Sequence, residues 1–106
     1  MKERKTIFNT YGTSRAKAHI FFREAEKMTP IEVIVSICEN ANKRITKSDL
    51  YTLFSTCRAR KYNWGMFYHY ALVSSEFKQA FNYLVAKDIL KYEKGVRVRL
   101  TGKEKL

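Results

Sequence analysis

The stretch Ser74-Ser75-Glu76-Phe77-Lys78-Gln79-Ala80-Phe81-Asn82-Tyr83-Leu84-Val85-Ala86-Lys87-Asp88, followed by Ile89-Leu90-Lys91-Tyr92-Glu93-Lys94-Gly95-Val96-Arg97-Val98-Arg99-Leu100, changes its apolar period once, and that change decides the fold. In the first part Phe77, Phe81, Leu84 and Val85 recur at helical spacing on one face, with Ser75, Lys78, Gln79 and Asn82 on the opposite one. Ser74 has the chemistry of an N-cap, because its hydroxyl can accept from an open N–H of the first turn. In the second part Val96, Val98 and Leu100 alternate with Arg97 and Arg99, the pattern of a half-buried strand. Glu93-Lys94-Gly95 reads as the hairpin turn, where glycine can take a positive φ. Thr101-Gly102-Lys103-Glu104 reads as a capping box for a short last helix.

Upstream, Thr29-Pro30-Ile31-Glu32 is the clearest helix start: a threonine cap, proline at the first helical position and a glutamate able to reach back. Ile31, Ile34, Val35 and Cys38 are expected inward, and the helix is expected to end near 41–43. Arg44-Ile45-Thr46 fits a short strand. Thr46, with Asp49, or Ser48 then caps a helix carrying Leu50, Tyr51, Leu53, Phe54 and Cys57. Earlier still, residues 1–12 read as a basic arm. Thr13 or Ser14 starts an extra helix over 13–28, with Ala18, Phe21, Phe22, Ala25 and Met28 on one side.

This order, with the Asp88–Gly95 stretch and the ending Arg-Leu-Thr-Gly-Lys-Glu, resembles the winged helix-turn-helix family of DNA-binding proteins over residues 30–104. The family's Leu-Thr-x-Lys-Gly ending is met in part, since Gly102 precedes Lys103. The resemblance implies an α+β fold: a winged helix-turn-helix with an additional N-terminal helix and a C-terminal β-hairpin wing, residues 13–106 making one domain. Between the Ser48 helix and the Ser74 helix stand Arg58 to Val73, longer than the three- or four-residue turn of a minimal helix-turn-helix. In one parsing this segment is an insertion. In the other, residues 65–73 form the helix before the recognition helix, as in small archaeal winged-helix chromatin proteins, and the Ser48 helix is the added element.

The charge balance points to a polyanion. Against 10 acidic side chains stand 21 basic ones, a net charge of +11. The excess is uneven: residues 1–28 carry 7 basic and 3 acidic groups, 29–57 carry 3 of each, and 58–106 carry 11 and 4. The excess lies at the two ends with a neutral middle, and the partner it implies is DNA, RNA or an anionic membrane surface. No apolar run reaches membrane-spanning length and no secretory signal is evident, so a cytoplasmic protein with no membrane partner is expected. Cys38 and Cys57 sit in apolar helical contexts and are expected to be thiols.

Ser75, Lys78, Gln79 and Asn82 are the candidates for base contact, since glutamine and asparagine can bond an adenine edge twice and lysine suits guanine or phosphate. A helix start at Ser74 would add a phosphate site. Lys91, Lys94, Arg97 and Arg99 decorate the hairpin and suit backbone phosphates. Arg58, Arg60 and Lys61, interleaved with Tyr62 and Trp64, form a third basic group whose composition also suits single strands or RNA. His19, His69 and the two cysteines make no metal-ligand spacing, and no carboxylate cluster or glycine-rich phosphate loop is present, so no metal, cofactor or catalytic centre is expected. The expected function is double-stranded DNA binding by a small transcriptional regulator. The alternatives are a non-specific architectural protein, an RNA-binding protein and a protein–protein assembly module. The 13–28 helix is expected either to close the core within the monomer or to form a homodimer face.

Overall fold

Thr29 shows how the local code works. In the computed structural model its Oγ1 accepts from Glu32 N at 3.3 Å while Glu32 Oε1 accepts from Thr29 N at 3.0 Å, closing the capping box with Pro30 at the first helical position. The structure describes residues 7–41, 44–62, 68–93 and 95–103, and the backbone alone at 60–62 and 68–70. The fold is α+β. Among the described residues the order is α1 (Ile7–Thr10), α2 (Arg15–Ala25), α3 (Pro30–Asn40), β1 (Ile45–Thr46), α4 (Lys47–Tyr62), α5 (Tyr68–Ala86), β2 (Leu90–Glu93) and β3 (Arg97–Leu100). The strands form one antiparallel sheet in the order β1-β3-β2.

The sheet covers one side of a core made by α3, α4 and α5. Leu90, Val98 and Ile45 point inward from the three strands and are fully buried. From α5 come Val73, Phe77, Ala80, Phe81 and Leu84, and from α4 Leu50, Leu53, Phe54 and Cys57. Phe77 stacks on Phe81 at 5.5 Å and meets Phe54 edge-on at 5.2 Å, geometry that aromatic quadrupoles favour. Asp88 takes φ 60° at the end of α5, and Gly95 takes φ 81° in the hairpin turn, as the turn requires.

Four expectations need correction. The stretch read as an arm is structured from Ile7. Phe8 and Tyr11 are buried, and Phe8 meets Phe21 edge-on at 5.4 Å. The Tyr11 hydroxyl donates to Asp49 Oδ2 at 2.6 Å and accepts from Thr46 N at 3.2 Å, which clips this segment to the start of α4. Thr46 itself caps α4, its Oγ1 accepting from Asp49 N at 3.1 Å. Second, α3 buries Val33, Ile34 and Ile37 and packs the half-buried Val35 and Cys38 against the same core, whereas Ile31 is exposed. The helix packs against both α4 and α5 as well as the sheet, so its buried arc is turned from the one its isolated periodicity suggests. Third, Val96 lies in the turn with 67% exposure, not with Val98 in the strand. Fourth, Ser74 is no cap. It lies inside α5, which begins at Tyr68, so residues 68–73 are not a helix separate from the one that carries Ser74. Of the segment Arg58 to Val73, the first five residues finish α4 and the last six open α5, while 63–67 lie outside the described residues. Glu104, half of the expected last capping box, also lies outside them. Thr101 instead donates from Oγ1 to Asp88 O at 2.6 Å, tying the strand end to the end of α5.

Candidate nucleic-acid interface

The burial of Phe77, Phe81 and Leu84 fixes which way α5 faces, and the remaining arc looks to solvent. Ser75, Lys78, Gln79 and Asn82 are all exposed there, as their spacing predicts. Gln79 Nε2 donates to Ser75 Oγ at 3.3 Å, one turn away. Because α5 starts at Tyr68, Ser75 stands about two turns inside the helix. Its backbone N–H is engaged in the helix, and the phosphate site expected from a helix start at Ser74 is not formed there. The arc is also flanked by Leu72 and Tyr83, 41% and 47% exposed. Glu76, the one carboxylate in α5, is turned from this arc and holds Arg58.

Arg58 is therefore a correction. It was expected among the nucleic-acid contacts, but its side chain is 3% exposed. Nε and Nη2 donate to Glu76 Oε1 and Oε2 at 2.9 and 3.2 Å, and Nη1 donates to Met28 O at 3.0 Å. A paired guanidinium that is buried to this degree joins α4, α5 and the turn before α3, and no polyanion reaches it. Arg60 and Lys61 are in the last turn of α4, but their side chains lie outside the described residues, as does all of Lys94.

Strand register settles the hairpin. Lys91 faces Arg99 and Glu93 faces Arg97, and Thr46 of β1 faces Arg97 on the far side. Paired residues share a face, so Lys91, Glu93, Arg97 and Arg99 all stand on the outer face of the sheet, away from Leu90 and Val98. Arg97 is exposed and donates from Nη1 to Arg44 O at 2.9 Å. Glu93 Oε2 lies 2.5 Å from Arg99 Nε and 3.0 Å from Arg44 Nε.

Two basic residues escaped the sequence reading. Arg44 joins the outer face only because β1 pairs with β3, a long-range fact with no local signal. Lys47 is exposed, yet its Nζ sits 4.6 Å from the centre of the Phe81 ring, and its N–H donates to Val96 O at 2.9 Å. It thus joins the start of α4 to α5 and to the hairpin turn. Tyr92, 44% exposed, meets Phe81 on the same side at 5.8 Å.

On α2, Ala18, Phe21 and Ala25 are buried, so the helix closes the core, while Ile20 is 56% exposed on its outer side. Ser14, not Thr13, caps it, accepting from Lys17 N at 3.2 Å. Cys38 and Cys57 are not joined in a disulfide. Among the described residues no three histidine, cysteine or acidic side chains gather to hold a metal ion, and no helix is long and apolar enough to cross a membrane. Compared with known proteins, the chain matches no family model, no curated protein and no solved structure.

Proposed function

We propose that the chain is a winged-helix DNA-binding protein, a small transcriptional regulator of the cytoplasm without catalytic activity. Helix α5 enters the major groove of duplex DNA, and the β2–β3 hairpin acts as the wing on the flanking backbone. The observation that carries this reading is the outer arc of α5. It presents Ser75, Lys78, Gln79 and Asn82 together, with small Ala71 and Ser74 that permit close approach and no carboxylate. An α-helix fits the major groove, and two amide side chains one turn apart suit base edges. The element order helix, strand, helix, helix, hairpin and the sheet order β1-β3-β2 support the winged-helix reading. Lys91, Arg97 and Arg99 supply phosphate contacts that position the helix without reading sequence. A second copy, docked through the outer side of α2 around Ile20, would present two such helices to a two-fold site.

Selection of bound sites from random duplexes tests the reading. A regulator binds its selected site roughly 10³-fold or more tighter than random DNA, whereas a ratio near one means an architectural protein. Gln79→Ala or Asn82→Ala then lowers discrimination at one base pair by about 1–3 kcal/mol and leaves the salt dependence of binding unchanged. If both variants bind the selected site like wild type, α5 is not reading bases.

A further inference from the structure

The outer face of the sheet contains an arrangement that a basic wing alone does not require. Glu93 stands at its centre, with Arg44 from the β1 side, Arg97 and Arg99 from β3, and Lys91 from β2 around it. A single oxygen, Oε2, is placed between two guanidinium Nε groups, at 2.5 Å from Arg99 and 3.0 Å from Arg44. That oxygen is shielded from solvent and close to both cations, yet makes no aligned hydrogen bond with either. Charge, rather than directional bonding, holds it. Both arginines keep much of their surface in water, at 48% for Arg44 and 42% for Arg99. The Arg99 guanidinium is held by the backbone, Nη1 donating to Leu100 O at 3.2 Å, and the Arg44 main chain is tied to the sheet by the bond from Arg97 Nη1 to its carbonyl.

An anionic oxygen between two solvent-accessible guanidinium groups is also how a phosphodiester would be gripped, with the same single negative charge. We infer that Arg44 and Arg99 form a phosphate-oxygen site on the outer sheet face, and that Glu93 fills it in the unbound protein and leaves it when a backbone phosphate arrives. The naming of the anion rests on the DNA-binding reading above. Exchange makes Glu93 a built-in competitor: two arginines otherwise available to any polyanion must first lose their carboxylate. Non-specific binding is weakened by the same exchange.

The test uses Glu93→Gln, with Glu24→Gln on α2 as a variant that adds the same charge away from the sheet. Inorganic pyrophosphate is titrated into the full chain while the Nε–Hε signals of Arg44 and Arg99 are followed by NMR. Both signals are expected to move, and Glu93→Gln is expected to bind about three- to tenfold tighter than wild type, with Glu24→Gln changed less than about twofold. Adding Arg44→Ala to Glu93→Gln should remove most of the gain. On random duplex DNA, Glu93→Gln should also steepen the slope of log K against log salt by about 0.9, one additional phosphate neutralised. The inference is overturned if the two arginine signals do not move, or if Glu93→Gln gains no more than Glu24→Gln. Pyrophosphate binding as expected with no duplex binding would keep the anion site and reject the DNA reading. Duplex binding without a gain in Glu93→Gln would do the reverse.

Discussion

Two arginine–glutamate pairs in this small protein share a chemistry and differ in everything that follows from it. Arg58 and Glu76 join α4 to α5 in the interior, with 3% and 18% of their side chains exposed. Arg99 and Glu93 join neighbouring strands on the open face of the sheet. In the first pair each of the three guanidinium nitrogens donates to a protein oxygen, so the pair is a fastening. In the second, 42% of the Arg99 side chain remains in water, so its guanidinium is still open to solvent ions. Burial, not residue type, separates a fastened cation from one that stays open to water.

The largest expected effect breaks the interior pair. Arg58→Ala leaves Glu76 with a carboxylate at the α4–α5 seam and Met28 O without this donor, and should cost about 3–5 kcal/mol in urea denaturation. A loss under about 1 kcal/mol would place Arg58 in the same category as Arg99. Next comes Tyr11→Phe, which removes a buried hydroxyl serving both Asp49 and Thr46 N. A loss of about 1–3 kcal/mol is expected, because a backbone N–H and a carboxylate both lose a partner. Arg97→Ala with Arg99→Ala should reduce stability by less than about 1 kcal/mol, the ordinary contribution of exposed pairs. The same variant should shallow the salt slope of DNA binding by about 1–2 and weaken all sequences alike.

The smallest effect concerns pH. Lys103 Nζ sits 2.7 Å from Asp88 Oδ2, and this hydrogen bond and charge hold the Asp88 carboxyl below its usual range. The hydrogen bond from the Thr29 backbone does the same for Glu32. A depressed carboxyl stabilises the folded state at pH above its unfolded value and loses that contribution as pH falls through its folded value. Denaturation midpoints of Lys103→Met and wild type should therefore differ slightly at pH 7 and converge below about pH 3. Midpoints that separate further in acid would contradict the assignment.

The sequence was most legible where a signal is local. Thr29-Pro30-x-Glu32 specifies its own helix start, Gly95 its own turn, and the phenylalanines of α5 the exposed arc opposite. It was least legible where a residue's meaning comes from a distant partner. Ser74 looks like a cap, but the helix continues through it because Val73 and Phe77 bury on either side of it. Phe8 stands among cations and reads as an arm until Phe21 and Phe22 are placed beside it. Arg58 belongs to a basic run until Glu76 is seen 18 residues on. Arg44 is a strand-flanking residue until the register of β1 against β3 brings it over Glu93.

That register also bears on how the chain comes together during synthesis. The link from Arg97 to Arg44 spans 53 residues, and β1 contributes only Ile45 and Thr46 to the ladder. Closing a loop of that length costs roughly 3–4 kcal/mol in chain entropy before any pairing is returned. While the ribosome is still making the hairpin, α3 and α4 can already have met, but β1 has no strand to pair with. Among the described layers the sheet thus closes last, once residues 97–100 have emerged. A two-residue edge is also too short a template to recruit a stranger during the wait.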